Sequence, residues 1–97
     1  MSMPLISPMP TSVIDEVSEP DHPWNLFLWN DPVTLMAVVV RALRRVFGYS
    51  EEKAEQLMLV AHLENKVVVF TGTREEAEAK CVQLHAAGLM ATIAKDQ

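Results

Sequence analysis

The sequence predicts an α+β domain, a single two-layer unit of element order βααβαβ in which three helices cover one face of a three-stranded sheet. Three observations carry this. Trp24–Trp29, Lys66–Thr71 and Leu89–Ala94 are short apolar runs with strand character, by alternation or by β-branched content. The segments between them place apolar residues three and four apart, the spacing of a helix face. Capping and stop residues fall at the junctions between the two patterns.

In Trp24-Asn25-Leu26-Phe27-Leu28-Trp29, Trp24, Leu26 and Leu28 share one face and Phe27 and Trp29 the other. A strand apolar on both faces is expected to be well covered. Pro32 ends its pairing and biases Asp31 towards extended backbone. Thr34 is the expected N-cap of a helix running to about Phe47, with Met36, Val39, Val40, Leu43, Val46 and Phe47 on its buried face. Val38-Val39-Val40 is weak helix material, so packing has to hold this helix, and Gly48 is its stop.

Ser50 is the expected cap of a second helix, with Glu51 and Glu52 in the first turn where the helix dipole favours them. Ala54, Leu57, Met58, Ala61 and Leu63 form its apolar face. Leu59 and Val60 widen that face, which predicts a largely buried helix ending at Asn65. Lys66–Thr71 follows as a strand and Gly72 as a turn. Thr73-Arg74-Glu75-Glu76 is a capping box for a third helix that buries Ala77, Cys81 and Leu84 and stops at Gly88. Residues 23–97 make up this core domain. Residues 1–22 carry Pro4, Pro8, Pro10 and Pro20 among Ser, Thr, Asp and Glu, which reads as a disordered, acidic, proline-rich extension. It is either a loose terminus or a segment that a partner engages.

Totals narrow the function. A chain of 97 residues has room for one modest core. The longest apolar run, Leu35–Val40, is too short to cross a bilayer, and the N-terminus lacks the basic and apolar regions of a secretory signal. With Cys81 as the single cysteine there is no internal disulfide, and a cytoplasmic location is expected. A net charge of −5 argues against nucleic acid as partner. The basic trio Arg41, Arg44 and Arg45, at helical spacing, reads as a solvated face rather than a phosphate footprint.

Catalysis is not expected. Three glycines supply no phosphate-cradling loop, and the histidines His22, His62 and His85 have no partners at metal spacing. Cys81 and His85 stand one helical turn apart, but two ligands without a third or fourth read as core packing. No cofactor or metal is expected. His62 is open to two readings: a satisfied core imidazole, or one wall of a site. It lies one turn from Met58. If that face meets the start of the first helix, Asn30, Asp31, Met36 and His62 surround a small cavity. Asn30 offers a carbonyl, Asp31 a carboxylate and a neutral imidazole a ring nitrogen. Three acceptors about a point suit an ammonium group. Met36 and Met58, flexible and polarisable, suit a pocket for more than one apolar side chain. An amino group beside a large apolar side chain is the N-terminus of a peptide.

Asn30-Asp31 after a strand, then Thr34 and Met36, then Gln56-Leu57-Met58-Leu59 ending at His62, resembles the ClpS adaptor family from about Trp24 onward. The resemblance implies a three-stranded antiparallel sheet with three helices on one face, a fold similar to the C-terminal domain of the ribosomal stalk protein. It implies an adaptor that binds proteins with a destabilising N-terminal residue (Leu, Phe, Tyr or Trp) and delivers them to a Clp AAA+ unfoldase, of the ClpA or ClpC type, and its ClpP peptidase. It assigns amine binding to Asn30, Asp31 and His62, and the side-chain pocket to Met36, Val39, Met58 and Ala61. It assigns contacts with the unfoldase N-domain to Glu75 and Lys80, whose spacing is also that of ordinary surface charges. Pro32 stands where the family often has a second acid, and Leu35 where it often has proline. A monomer is expected, and binding that weakens as pH falls through the histidine range. The alternative is a ribosome- or translation-associated interaction module, suggested by the shared fold alone.

Overall fold

β1 (Trp24–Trp29) is the middle strand of three. It pairs antiparallel with β2 (Lys66–Gly72) on one side and with β3 (Ala91–Lys95) on the other. The structure, a computed structural model, describes residues 22–96, so the extension expected over 1–22 lies outside the described residues apart from His22. Between the strands run α1 (Met36–Phe47), α2 (Glu51–Glu64) and α3 (Arg74–Ala86), giving the element order βααβαβ.

The period-2 alternation of β1 builds the core. Leu26 and Leu28, on one face, are fully buried together with Leu43 of α1, Ala54 and Ala61 of α2, and Leu84 of α3. Each buried leucine contributes about 1.5–3 kcal/mol relative to exposure. α2 lies against β2, α3 crosses β1 and β3, and α1 packs on both helices. Among the described residues the other face of β1 has no helix over it. There the Lys66 ammonium lies 4.9 Å from the ring centre of Phe27 and 5.2 Å from that of Trp29. The indole N–H of Trp29 donates to the Thr92 hydroxyl at 2.8 Å. Both aromatics are half-buried, and long side chains supply the cover expected of a strand apolar on both faces.

Several junctions follow their capping residues. Gly48 ends α1 in the left-handed region with φ 76° and donates its N–H to the Arg44 carbonyl at 2.9 Å. Ser50 accepts from the Lys53 N–H at 3.1 Å. The Thr73 hydroxyl accepts from the Glu76 N–H at 3.1 Å while Glu76 accepts from the Thr73 N–H at 3.0 Å, a complete capping box.

The structure departs from expectation at three elements. Thr34 does not cap α1; Leu35 occupies the cap position with no side-chain hydrogen bond, because Thr34 is taken up as the last residue of a turn that begins at Asp31. α2 is not largely buried. Only Ala54 and Ala61 are, while Leu59, Val60 and Leu63 are exposed, since α2 sits over an edge strand and nothing among the described residues covers its far side. The last strand starts at Ala91 rather than Leu89, whose N–H still donates to the Leu84 carbonyl at 3.0 Å.

β1 and β2 are joined through a bulge. Leu26 faces Phe70 and Phe27 faces Val68, which leaves Val69 as the extra residue. Val69 is buried, and the Tyr49 hydroxyl donates to its carbonyl at 2.6 Å. Burial pushes the Tyr49 phenol above its ordinary value.

Candidate functional site

Where β1 ends, two hydrogen bonds tie it to distant parts of the chain. The Trp29 N–H donates to the Met90 carbonyl at 2.9 Å, and the Asn30 N–H to the Asn65 carbonyl at 2.8 Å. Asn65 ends α2 in the left-handed region with φ 78°, a conformation that Asn tolerates better than most residues. Asn30 therefore leaves the sheet held between the end of α2 and the start of β3.

Residues Asp31, Pro32, Val33 and Thr34 then make a tight turn. The Thr34 N–H donates to the Asp31 carbonyl at 3.2 Å, with Pro32 at the second position, where its fixed φ suits a turn. The Asp31 carboxylate reinforces it, accepting from the Val33 N–H through Oδ1 at 2.9 Å and from the Thr34 hydroxyl through Oδ2 at 3.0 Å. An ionised carboxylate has about four acceptor positions, so each oxygen retains capacity for one further donor. The turn delivers the chain to Met36, the first residue of α1.

A cavity of about 230 Å³ opens at this junction. Asn30, Asp31, His62, Met36, Val39, Met58 and Ala61, the seven residues singled out in the sequence, all line it. Asn30 and Asp31 are half-buried, His62 is exposed, Ala61 is buried and Met36 is half-exposed. Polar groups and apolar walls thus share one opening. Pockets for drug-sized ligands measure roughly 300–1,000 Å³, so this smaller volume suits one side chain with its attached polar group rather than a length of peptide.

Sequence reasoning missed further walls of the cavity, chiefly Leu28, Leu89 and Met90. Leu89 and Met90 follow the helix stop at Gly88 and reach the site only because β3 pairs beside β1. Glu75 and Lys80 lie elsewhere, on α3. Glu75 is exposed, while Lys80 is half-buried and donates from Nζ to the Val46 carbonyl at 3.0 Å, closing the end of α1. Cys81 is buried, with Sγ 3.5 Å from His85 Nε2, which is itself 2.7 Å from the Ala91 carbonyl. Burial raises the Cys81 thiol above its ordinary value. Among the described residues no cluster of three or more His, Cys, Asp or Glu could hold a metal ion, and no helix is long and apolar enough to cross a membrane.

An α+β domain with a one-side-chain cavity, acceptors at its rim and thioethers on its walls belongs to the class of small recognition modules. A family model described as ATP-dependent Clp protease adaptor protein ClpS matches residues 19–92. An ATP-dependent Clp protease adapter protein ClpS from Rhodococcus opacus (strain B4) is 40% identical over 93 residues, covering 96% of this chain and 83% of the relative. One from Nocardia farcinica (strain IFM 10152) is 47% identical over 76 residues, covering 78% of this chain and 72% of the relative. The structure of Agrobacterium tumefaciens ClpS2 bound to L-phenylalaninamide matches with a TM-score of 0.75 at 29% identity, covering 76% of this chain and 96% of that one. The chain belongs to the ClpS family of adaptor proteins of the ATP-dependent Clp protease.

Proposed function

We propose that this adaptor holds the first residue of its cargo, a free α-amino group beside a large apolar side chain, in the cavity at the end of β1. One observation carries the reading. Asn30, Asp31 and His62 share a single opening with Met36, Val39, Met58 and Ala61, and the volume suits one residue. The ammonium donates to the Asn30 carbonyl, to a remaining Asp31 acceptor position and to a neutral His62 ring nitrogen. The side chain of Leu, Phe, Tyr or Trp enters between the two methionines, whose unbranched thioethers adapt to different shapes. L-Phenylalaninamide, bound by the Agrobacterium relative, combines the same two features, an amino group and a benzyl side chain.

Asp31 serves as the acid of the site without a second carboxylate, because Pro32 gives the turn its shape instead. The reading is non-catalytic: cargo is bound and passed to a Clp AAA+ unfoldase N-domain, of the ClpA or ClpC type, by a monomeric cytoplasmic adaptor. Glu75 and the remaining donors of Lys80 face that partner from α3, and the acidic extension over 1–22 takes part in delivery.

The test is fluorescence anisotropy with labelled peptides identical except at the first residue: Phe, Leu, Met and acetylated Phe. Phe and Leu bind, and acetylation abolishes binding. Equal binding of all four, or of none, overturns the reading.

A further inference from the structure

On the far side of Met36 and Met58 from the cavity lies a larger, more open groove of about 810 Å³ between α1 and α2. Met36 and Met58 line both, so the groove continues the site rather than standing apart from it. Its two walls differ in charge. α1 supplies Arg41, Arg44 and Arg45, and α2 supplies Glu51 and Glu55. Arg44 reaches Glu51 at 3.8 Å, while Arg41 and Arg45 make no ion pair among the described residues. They also border a second groove, between α1 and α3, whose lining contains no carboxylate. A chain of net charge −5 therefore presents an exposed basic ridge beside the mouth of its cavity.

We infer that this ridge reads the body of the cargo and selects acidic residues at about the third to fifth positions from its N-terminus. The inference rests on the cavity holding the first residue. With that residue at Met36, an extended chain advances about 3.3–3.6 Å per residue, while α1 rises about 1.5 Å per residue. Arg41 is five residues along α1 from Met36 and Arg45 nine, or about 7.5 and 13.5 Å. A cargo that follows the groove shared by Met36, Arg41 and Arg45 brings its third residue level with Arg41, and its fifth level with Arg45, along the helix axis. Carboxylates there meet guanidinium groups without a competing acid on the α3 side. Lysines there meet like charge.

The experiment uses the full chain and four labelled peptides. Three share Phe-Leu at the start and carry Ser, Asp or Lys at positions three and five; the fourth is the acetylated Asp peptide. The Asp peptide binds about threefold to tenfold more tightly than the Ser peptide, as expected for two exposed ion pairs, and the Lys peptide binds more weakly. The difference closes in about 0.5 M salt, where charges are screened within a few ångströms. In the double variant Arg41→Glu, Arg45→Glu the order of Asp and Lys reverses, while the acetylated peptide binds neither protein.

Equal affinities for the three free-amine peptides, or an order that survives charge reversal, overturn the inference while leaving the cavity intact. Binding of the acetylated Asp peptide shows an acid site independent of the cavity and also overturns it. A double variant that binds the Ser peptide more tightly than the parent overturns it in favour of a different occupant, this chain's own segment bearing Asp15, Glu16, Glu19 and Asp21. Absence of binding by every free-amine peptide overturns both this inference and the proposed function.

Discussion

Thr34 gives its hydroxyl hydrogen to Asp31 Oδ2 at 3.0 Å, so the residue expected to cap α1 instead fixes the carboxylate at the mouth of the cavity. Thr34 closes the turn from Asp31 and stands one residue before the cap position, held by Leu35, so its hydroxyl is spent on the carboxylate in a charge-assisted bond. The helix start is left uncapped and the acid is oriented. Removing the hydroxyl with Thr34→Val costs about 1 kcal/mol of orientation, and affinity for a Phe-initiated peptide falls about fivefold. Thr34→Ser restores it. Titration calorimetry on the two variants checks this, and equal affinities would remove Thr34 from the site.

His62 accepts a hydrogen bond only through an unprotonated ring nitrogen; a protonated imidazole would set positive charge beside the ammonium. Peptide affinity therefore requires the neutral ring and declines on acidification. His62→Ala lowers affinity about tenfold at pH 7.5, the loss of one charge-assisted bond, and flattens the profile. A profile equally steep in the variant would assign the titration to another group.

Ala61 is 4% exposed and lines the cavity between α2 and the sheet. Ala61→Leu places three further carbons there. Overpacking costs about 1–3 kcal/mol of stability, and binding of Phe and Trp N-termini falls more than tenfold. Anisotropy well below the melting temperature separates the two effects.

Tyr49 satisfies the carbonyl of the bulged Val69, and Tyr49→Phe leaves that buried acceptor without its partner. Chemical denaturation should show a loss of about 1–3 kcal/mol. The wild-type phenol is raised by burial, and its neutral form is the protonated one. Its contribution is fully present below the unfolded value of about 10 and is lost as pH rises through the higher folded value. Alkaline denaturation of the wild type is therefore steeper than that of the variant.

Cys81 is buried and its thiol is raised, two conditions that suppress thiolate chemistry. At pH 7.5 the folded protein reacts with a thiol reagent far more slowly than the protein in denaturant. Equal rates would mean that the α3–β3 contact opens readily.

Local signals were legible where one residue decides a junction. Gly48, Ser50, Asn65 and the Thr73–Glu76 pair each start or stop a helix in the structure as their chemistry requires. The exposure of Leu59, Val60 and Leu63 was not legible, because periodicity reports which residues are apolar and not whether a neighbouring layer exists to cover them. For the cavity, Asn30-Asp31 and Met58 with His62 could be placed together by motif. Leu89 and Met90 could not, since their arrival depends on the strand order β2-β1-β3. Pro32 is readable in sequence as the end of a strand and as a missing acid. In the structure it is the second residue of the turn that aims Asp31.

The hydrogen bonds from Trp29 to Met90 and from Asn30 to Asn65 draw together segments more than 30 residues apart around one small opening. Its walls have no existence apart from the paired sheet. An occupant therefore favours the folded chain alone and raises its melting temperature in proportion to the logarithm of occupant concentration over Kd. The converse is mechanical. β3 is an edge strand, and peeling it from β1 carries away Leu89 and Met90, so grip is lost before the domain as a whole unravels.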